Sequence, residues 1–167
     1  MQFKKSLMTA TLITIGGFAA MSANAATDTG TFDVKLDITE ICKVTSTTDQ
    51  EIDFGSFAAG AAVTEGSSGT PISVNCSNGT VYNIGLLGTG FLTDTTEPLN
   101  KVAYSLLKTN GGAVWGNGIT EEVGGTGTGM AADQAKTHTV FASVAANATD
   151  NLKKGSYTDT VNITVTY

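Results

Sequence analysis

The chain has 167 residues, of which 41% are hydrophobic and 14% charged, and its formal net charge is −6. It contains no Arg, and its lysines form no basic stripe, so it lacks the surface that nucleic-acid binding requires. The acidic excess also argues against binding to anionic membrane surfaces.

The first 25 residues have the pattern of a secretory signal peptide. Lys4 and Lys5 form a positively charged start, residues 7–20 are mostly apolar, and a small-x-small cleavage signature ends at Ala25. The apolar run is too short for a membrane anchor, and no other stretch is long or apolar enough to span a bilayer. We predict cleavage after residue 25 and export of a soluble mature chain of 142 residues (167 − 25) that fits one domain.

The mature chain begins with a strongly alternating stretch at residues 31–39. Its apolar side chains occupy every second position: Phe32, Val34, Leu36 and Ile38. This period predicts an extended strand with one apolar and one polar face. A strand at a free terminus can leave its own domain and pair with another chain, so we expect residues 26–40 to be a donor segment. A strand that folds into its own sheet has the same pattern and remains the alternative.

The chain has two cysteines, Cys42 and Cys76, and both lie in the exported part. In an oxidising compartment an isolated pair is most simply a disulfide, and the loop closed here is worth on the order of 3–4 kcal/mol. The alternatives are two free thiols or a metal site, for which a single histidine supplies too few ligands. We therefore predict the disulfide and expect no metal and no cofactor.

The rest of the chain predicts short strands separated by turns rich in Gly, Thr, Ser and Asn. No segment has the apolar spacing of a capped amphipathic helix. Strands are predicted at 41–45, 51–54, 71–76, 81–87, 102–107, 113–115, 137–144 and 157–167, and residues 88–101 and 116–132 are predicted to be loops. This pattern indicates an all-β sandwich of immunoglobulin-like type.

Two features predict that the sandwich is incomplete. Apart from the N-terminal stretch it has about six main strands, where seven are usual. The sequence also stops on an apolar position of its last strand, whose inward residues are Val161, Ile163, Val165 and Tyr167. A sandwich without a terminal strand exposes a core cleft and an unpaired edge. One missing strand and one spare strand predict that copies complete one another.

The ordered set of motifs resembles a known family. Residues 30–38 followed by Cys42, the Asp53-Phe54-Gly55 triplet, the strand ending at Cys76, and residues 155–165 are similar to spore coat protein U domain proteins. Several of those proteins are subunits of archaic chaperone–usher pili. Residues 88–135 carry no motif that matches.

The resemblance implies an incomplete immunoglobulin-like domain at residues 41–167 that polymerises by donor-strand complementation. The apolar residues of 31–39 would be the plugs, and the strand from Val161 to Tyr167 would border the acceptor groove. The implied partners are neighbouring copies or related subunits, a periplasmic chaperone and an outer-membrane usher, with passage through the periplasm to a cell-surface fibre. Tip adhesins of such systems tend to have an added domain, so this single-domain chain looks like a shaft subunit that serves adhesion or biofilm formation.

Two other classes of function, an enzyme and a monomeric binding domain, fit the sequence less well. An enzyme is disfavoured because His138, the single histidine, has no accompanying nucleophile motif, so no catalytic residue is predicted. The competing binding function is a monomeric carbohydrate-binding or adhesive sandwich, for which Trp115 could stack on a sugar ring. Core packing of Trp115 is the favoured interpretation, since tryptophan is usually buried.

Overall fold

The computed structural model of the chain describes residues 26–46, 50–63 and 69–167. The predicted signal peptide at residues 1–25 lies outside the described residues. The chain divides between Asp37 and Ile38 into an N-terminal unit and a main body. Residues 26–40 form no strand and are exposed at every position. The described residues contain no helix that could cross a bilayer.

Nine strands lie in the described part of the main body. They are β1 (Cys42–Val44), β2 (Thr70–Cys76), β3 (Val81–Leu87), β4 (Phe91–Asp94), β5 (Lys101–Leu107), β6 (Val123–Thr126), β7 (Lys136–Val144), β8 (Tyr157–Thr158) and β9 (Asn162–Thr166). A single turn of 3-10 helix, Ala132–Gln134, precedes β7. The predicted all-β fold class is confirmed.

The strands form two antiparallel sheets. The larger sheet has the order β1-β2-β7-β5-β4-β8, and the smaller sheet has the order β6-β3-β9. In an immunoglobulin domain one sheet has the order A-B-E-D and the other contains C, F and G. The order β1-β2-β7-β5 corresponds to A-B-E-D. In the smaller sheet β3 corresponds to C and β9 to F. Among the described residues no strand occupies position G, on the outer side of β9.

The core forms where the alternating faces of β2 and β3 meet. Its buried residues are Ile72, Val74, Cys76, Tyr82, Ile84, Leu86, Trp115 and Val140. A second, smaller cluster of Val63, Val102 and Val144 lies against β5 and β7. The predicted disulfide is present between Cys42 and Cys76, which are register partners of β1 and β2. It therefore ties the short edge strand β1 to the core.

Two strands lie where loops were predicted, and both depend on glycine. β4 lies inside 88–101 and pairs with β5 after Gly90, whose φ of 76° makes the preceding turn. β6 lies inside 116–132 and has the sequence Val-Gly-Gly-Thr, which has little strand propensity. A Cβ at Gly125 would lie 2.4 Å from the Tyr82 hydroxyl, so this pairing needs glycine.

Three predicted strands differ from the structure. Residues 51–54 form no strand, because the Asp53 carboxylate accepts the Gly55 N–H at 2.8 Å and Gly55 has a φ of 87°, which turns the chain. Residues 113–115 contribute one isolated bridge, between Val114 and Leu107. The predicted strand 157–167 is divided, since β8 pairs in the larger sheet and β9 in the smaller one.

Candidate functional site

The four predicted plug residues are exposed to solvent. Three of them lie in the N-terminal unit, and Ile38 is the first residue of the main body. The exposed fractions of their side chains are 86% for Phe32, 84% for Val34, 83% for Leu36 and 78% for Ile38. A fully buried side chain of this kind is worth about 1.5–3 kcal/mol, so burying all four would contribute roughly 6–12 kcal/mol before costs. Residues 31–39 therefore carry four exposed apolar side chains at alternating positions.

The outer edge of β9 is the complementary feature of the main body. The register pairs Ile84 with Val165 and Leu86 with Ile163, so the β9 side chains point to the same core face as their β3 partners. Leu86 is 3% exposed, yet Ile163 is 37% exposed and Tyr167 is 55% exposed. Among the described residues, no strand pairs with the side of β9 that faces away from β3.

β1 borders the same apolar surface from the other sheet. Cα atoms of β1 and β9 approach within 8 Å of each other. Val44, which shares a face of β1 with the core-packed Cys42, is 42% exposed. Val161 and Val165 pack against the main core at this place. All four predicted groove residues thus lie at one edge of the sandwich, on or next to β9.

The other free strand edges of the described sheets are short. β8 has two residues and β1 has three, and β6 has four residues with two glycines. Short and glycine-rich edges are poor templates for pairing with another chain. β9, with five residues, is the longest of the four free edges. An incoming strand would find its longest set of unpaired backbone groups there.

A cavity beside the second cluster is the feature that the sequence analysis missed. It has a volume of about 740 Å³ and is lined by Phe54, Val63, Leu92, Leu152 and Tyr157 among others. Backbone bonds from Gly60 to Thr149 and from Val63 to Ala146 join its two walls. Tyr157 is in phase with Val161, and this alternation was a signal for the part of the lining that Tyr157 forms. The part formed by Phe54 lies in irregular backbone, where no periodicity marks it.

Trp115 lies in the core, so its position does not support the sugar-stacking role weighed above. It is 2% exposed, and its indole N–H donates to the Ile84 carbonyl oxygen at 2.8 Å. His138 packs edge-on against Trp115 and its Nε2 lies 2.9 Å from the Tyr82 hydroxyl. Burial lowers the pKa of His138, which favours its neutral form. The three rings form an internal cluster of the sandwich.

Comparisons with known proteins give a family match and a similar solved structure. The family model described as Spore Coat Protein U domain matches residues 28–164. No curated protein matches the chain significantly. Among solved structures, the chain is similar to a chain of the CsuC–CsuE chaperone–tip adhesion subunit pre-assembly complex from archaic chaperone–usher Csu pili of Acinetobacter baumannii. The identity is 16%, the TM-score is 0.49, and the match covers 78% of this chain and 40% of that one.

Proposed function

The chain belongs to the Spore Coat Protein U domain family, and on that premise we propose that it is an exported structural subunit of a surface fibre. In this proposal residues 26–40 of one copy, the donor segment, complete the sandwich of the next copy at residues 41–167. The plugs are Phe32, Val34, Leu36 and Ile38, and the acceptor groove is bordered by Val161, Ile163, Val165 and Tyr167. The activity is non-covalent polymerisation, without catalysis.

One observation carries the proposal. Ile163 of β9 is 37% exposed although its β3 partner Leu86 is 3% exposed, and it lies at the strand position that completes an immunoglobulin sheet. A strand inserted there would cover Ile163 and Tyr167 and would satisfy the backbone groups of the β9 edge. The alternating apolar stretch of the donor segment has the period and the exposure to be that strand.

The contact between copies joins two different surfaces, so it is heterologous. A heterologous contact that does not close on itself generates a filament. Burial of the four plugs contributes roughly 6–12 kcal/mol. Each backbone hydrogen bond between the donor and β9 adds about 1 kcal/mol net. These gains oppose an entropy cost of about 1–2 kcal/mol for each residue of the donor segment that becomes ordered. The proposed contact between copies involves no covalent link.

The same exposed edge requires protection before assembly. An unpaired edge with adjacent apolar side chains is an aggregation template during export. A periplasmic chaperone that lends a strand to β9, and an outer-membrane usher that exchanges it for the donor segment, are the partners we propose. Adhesion or biofilm formation is the role that we propose for the fibre.

The test compares two variants that introduce the same side chain one residue apart. Leu36→Asp places a charge on the apolar face of the donor segment, and Lys35→Asp places it on the polar face. The proteins are exported together with their chaperone and usher and are examined by electron microscopy and by unheated, non-reducing gels. We expect fibres and heat-sensitive ladders from the parent and from Lys35→Asp, and a loss of at least about tenfold for Leu36→Asp, which corresponds to 1.4 kcal/mol.

A parent that stays monomeric with its partners present would overturn the fibre. Equal polymerisation of both variants would show instead that residues 31–39 are not the inserted strand. Lys35→Asp makes the chain more negative than Leu36→Asp does, because it also removes a positive charge, so a general effect of charge on export would affect this control at least as strongly.

A further inference from the structure

The cavity beside the second core cluster lies next to residues that pack on the main core. One wall is the stretch 52–59, in which Ile52 packs against the main core and Phe54 against the second cluster. The other wall begins at 152–157, where Tyr157 packs against the second cluster, and continues to Val161 on the main core. The chain thus runs from the cavity wall at Tyr157 past Val161 to the start of β9 at Asn162.

Two lysines, Lys153 and Lys154, line the cavity together with one acidic residue, Asp53. The Lys153 side chain is 64% exposed. Lys153 forms an ion pair with Glu97, while Lys154 forms none with the described residues. The donor segment carries the opposite charge close to its last plug, since Asp37 precedes Ile38 and Glu40 follows it.

The direction of insertion follows from the architecture. All strand pairs of both sheets are antiparallel, and a strand at position G of an immunoglobulin sheet runs antiparallel to F, which is β9 here. The chain runs from the cavity at Tyr157 through β9 to Tyr167. An antiparallel donor therefore begins near Tyr167 with Phe32 and ends at the cavity with Ile38.

From this arrangement we propose that the cavity receives Ile38 of a second copy and that Lys153 and Lys154 in its lining select the donor through Asp37 and Glu40. The inference rests on the proposed function and adds a specificity determinant to it. The apolar plugs supply affinity for any alternating strand, whereas the lysine pair distinguishes a donor with acidic residues at its C-terminal end. Complementary charges at a rim act chiefly on the association rate and on its salt dependence.

The test uses the full mature chain with Leu36→Asp as acceptor, because its own donor is disabled, and a labelled peptide of residues 26–40 as donor. Stopped-flow fluorescence gives the association rate at about 20 mM and about 200 mM salt, where the screening length differs by roughly threefold. We expect the acceptor with Lys153→Glu and Lys154→Glu to bind about tenfold more slowly at low salt. A peptide with Asp37→Lys and Glu40→Lys should restore the rate with that acceptor.

A matched peptide with Asp33→Lys tests the direction, since Asp33 would lie at the opposite end of the groove. It should bind the acceptor that keeps both lysines at nearly the rate of the unchanged peptide.

Lys154→Glu alone keeps the Lys153–Glu97 pair and should give an intermediate association rate. This variant separates charge selection from damage to the fold. Unchanged rates for both lysine variants, or an effect of Asp33→Lys larger than that of Asp37→Lys, would overturn the inference and leave strand donation in place. A parent peptide that fails to bind the parent acceptor would overturn strand donation itself.

Discussion

At the residue scale, His138 links the stability of the sandwich to pH. It is the single histidine of the chain, it is half-buried, and its ring packs edge-on against Tyr82 and Trp115 of the core. Burial holds its pKa below the ordinary value of about 6.5. In the unfolded chain the imidazole binds a proton as the pH falls through about 6.5, whereas in the folded protein it remains neutral to lower pH. Folding stability is therefore present above that pH and is lost progressively below it.

We predict that the free energy of unfolding falls between pH 7.5 and pH 5 and that His138→Gln removes most of this fall. Glutamine keeps a polar partner for the Tyr82 hydroxyl but does not titrate. Urea unfolding midpoints in the Leu36→Asp background, which does not polymerise, provide the measurement. Carboxylates with ordinary pKa values near 4 change little in this range, so a fall that persists in His138→Gln would contradict the assignment.

The sequence predicted some residues of the site and left others open for physical reasons. The four plugs follow from strict alternation, which is a local property of the sequence. The burial of Trp115 and His138 depends on which strands lie opposite them, and a Gly-rich surround at 116–118 does not reveal it. Phe54 and Leu152 lie in irregular backbone, so no periodicity marks them as cavity walls.

At the scale of elements, the crossing from β8 to β9 is held by one carboxylate. Asp159 accepts hydrogen bonds from the Tyr104 hydroxyl on β5 at 2.6 Å and from the Thr89 N–H after β3 at 2.8 Å. Burial alone would raise the pKa of Asp159, but these hydrogen bonds outweigh burial and lower the pKa. Gly88 lies so close that a Cβ there would be 2.3 Å from the Tyr104 hydroxyl oxygen. The contact fixes the start of β9 to both sheets while its outer edge is unpaired.

We predict that Tyr104→Phe lowers the free energy of unfolding by about 1 kcal/mol, because a partly exposed hydrogen bond to a charged acceptor is lost. The loss should disappear as the pH falls below the ordinary carboxyl pKa of about 4, since the Asp159 carboxylate is then protonated in the unfolded chain and its contribution fades. Tyr157→Phe is the control, because the Tyr157 hydroxyl donates to the Lys153 carbonyl oxygen and not to a carboxylate. A Tyr104→Phe effect that stays constant down to pH 3 would contradict this account.

Apolar alternation predicts the long strands of the structure but not the short ones. Alternation predicted β2, β3, β5, β7 and the end of the chain, because each carries several apolar residues in phase. β4 and β6 have four residues each and lack that signal, and they form because neighbouring strands offer unpaired edges. The division of 157–167 into β8 and β9 depends on Asp159, whose partners are 55 and 70 residues distant in sequence.

At the scale of the whole molecule, the main body resembles a sandwich with one strand position vacant among the described residues. The disulfide holds β1 against β2, and the Asp159 contact holds the start of β9, so the borders of the vacant position are fixed by long-range links. The apolar side chains of Ile163 and Tyr167 remain exposed, and the backbone groups on the outer edge of β9 have no strand to pair with among the described residues. A strand supplied from any source should stabilise the body by covering these groups.

We therefore predict that a chain carrying its own donor at the C-terminus becomes a stable monomer. Residues 30–39 are appended after Tyr167 through a turn of about four residues, which suits an antiparallel hairpin with β9, and the native donor segment carries Leu36→Asp. Burial of four plugs should raise the free energy of unfolding by at least about 3 kcal/mol, a fraction of the roughly 6–12 kcal/mol available before costs. The control carries aspartate at the appended position equivalent to Leu36 and should gain nothing. Urea unfolding and sedimentation measure both variants. Equal stability of the two chains would show that the outer edge of β9 does not accept this strand.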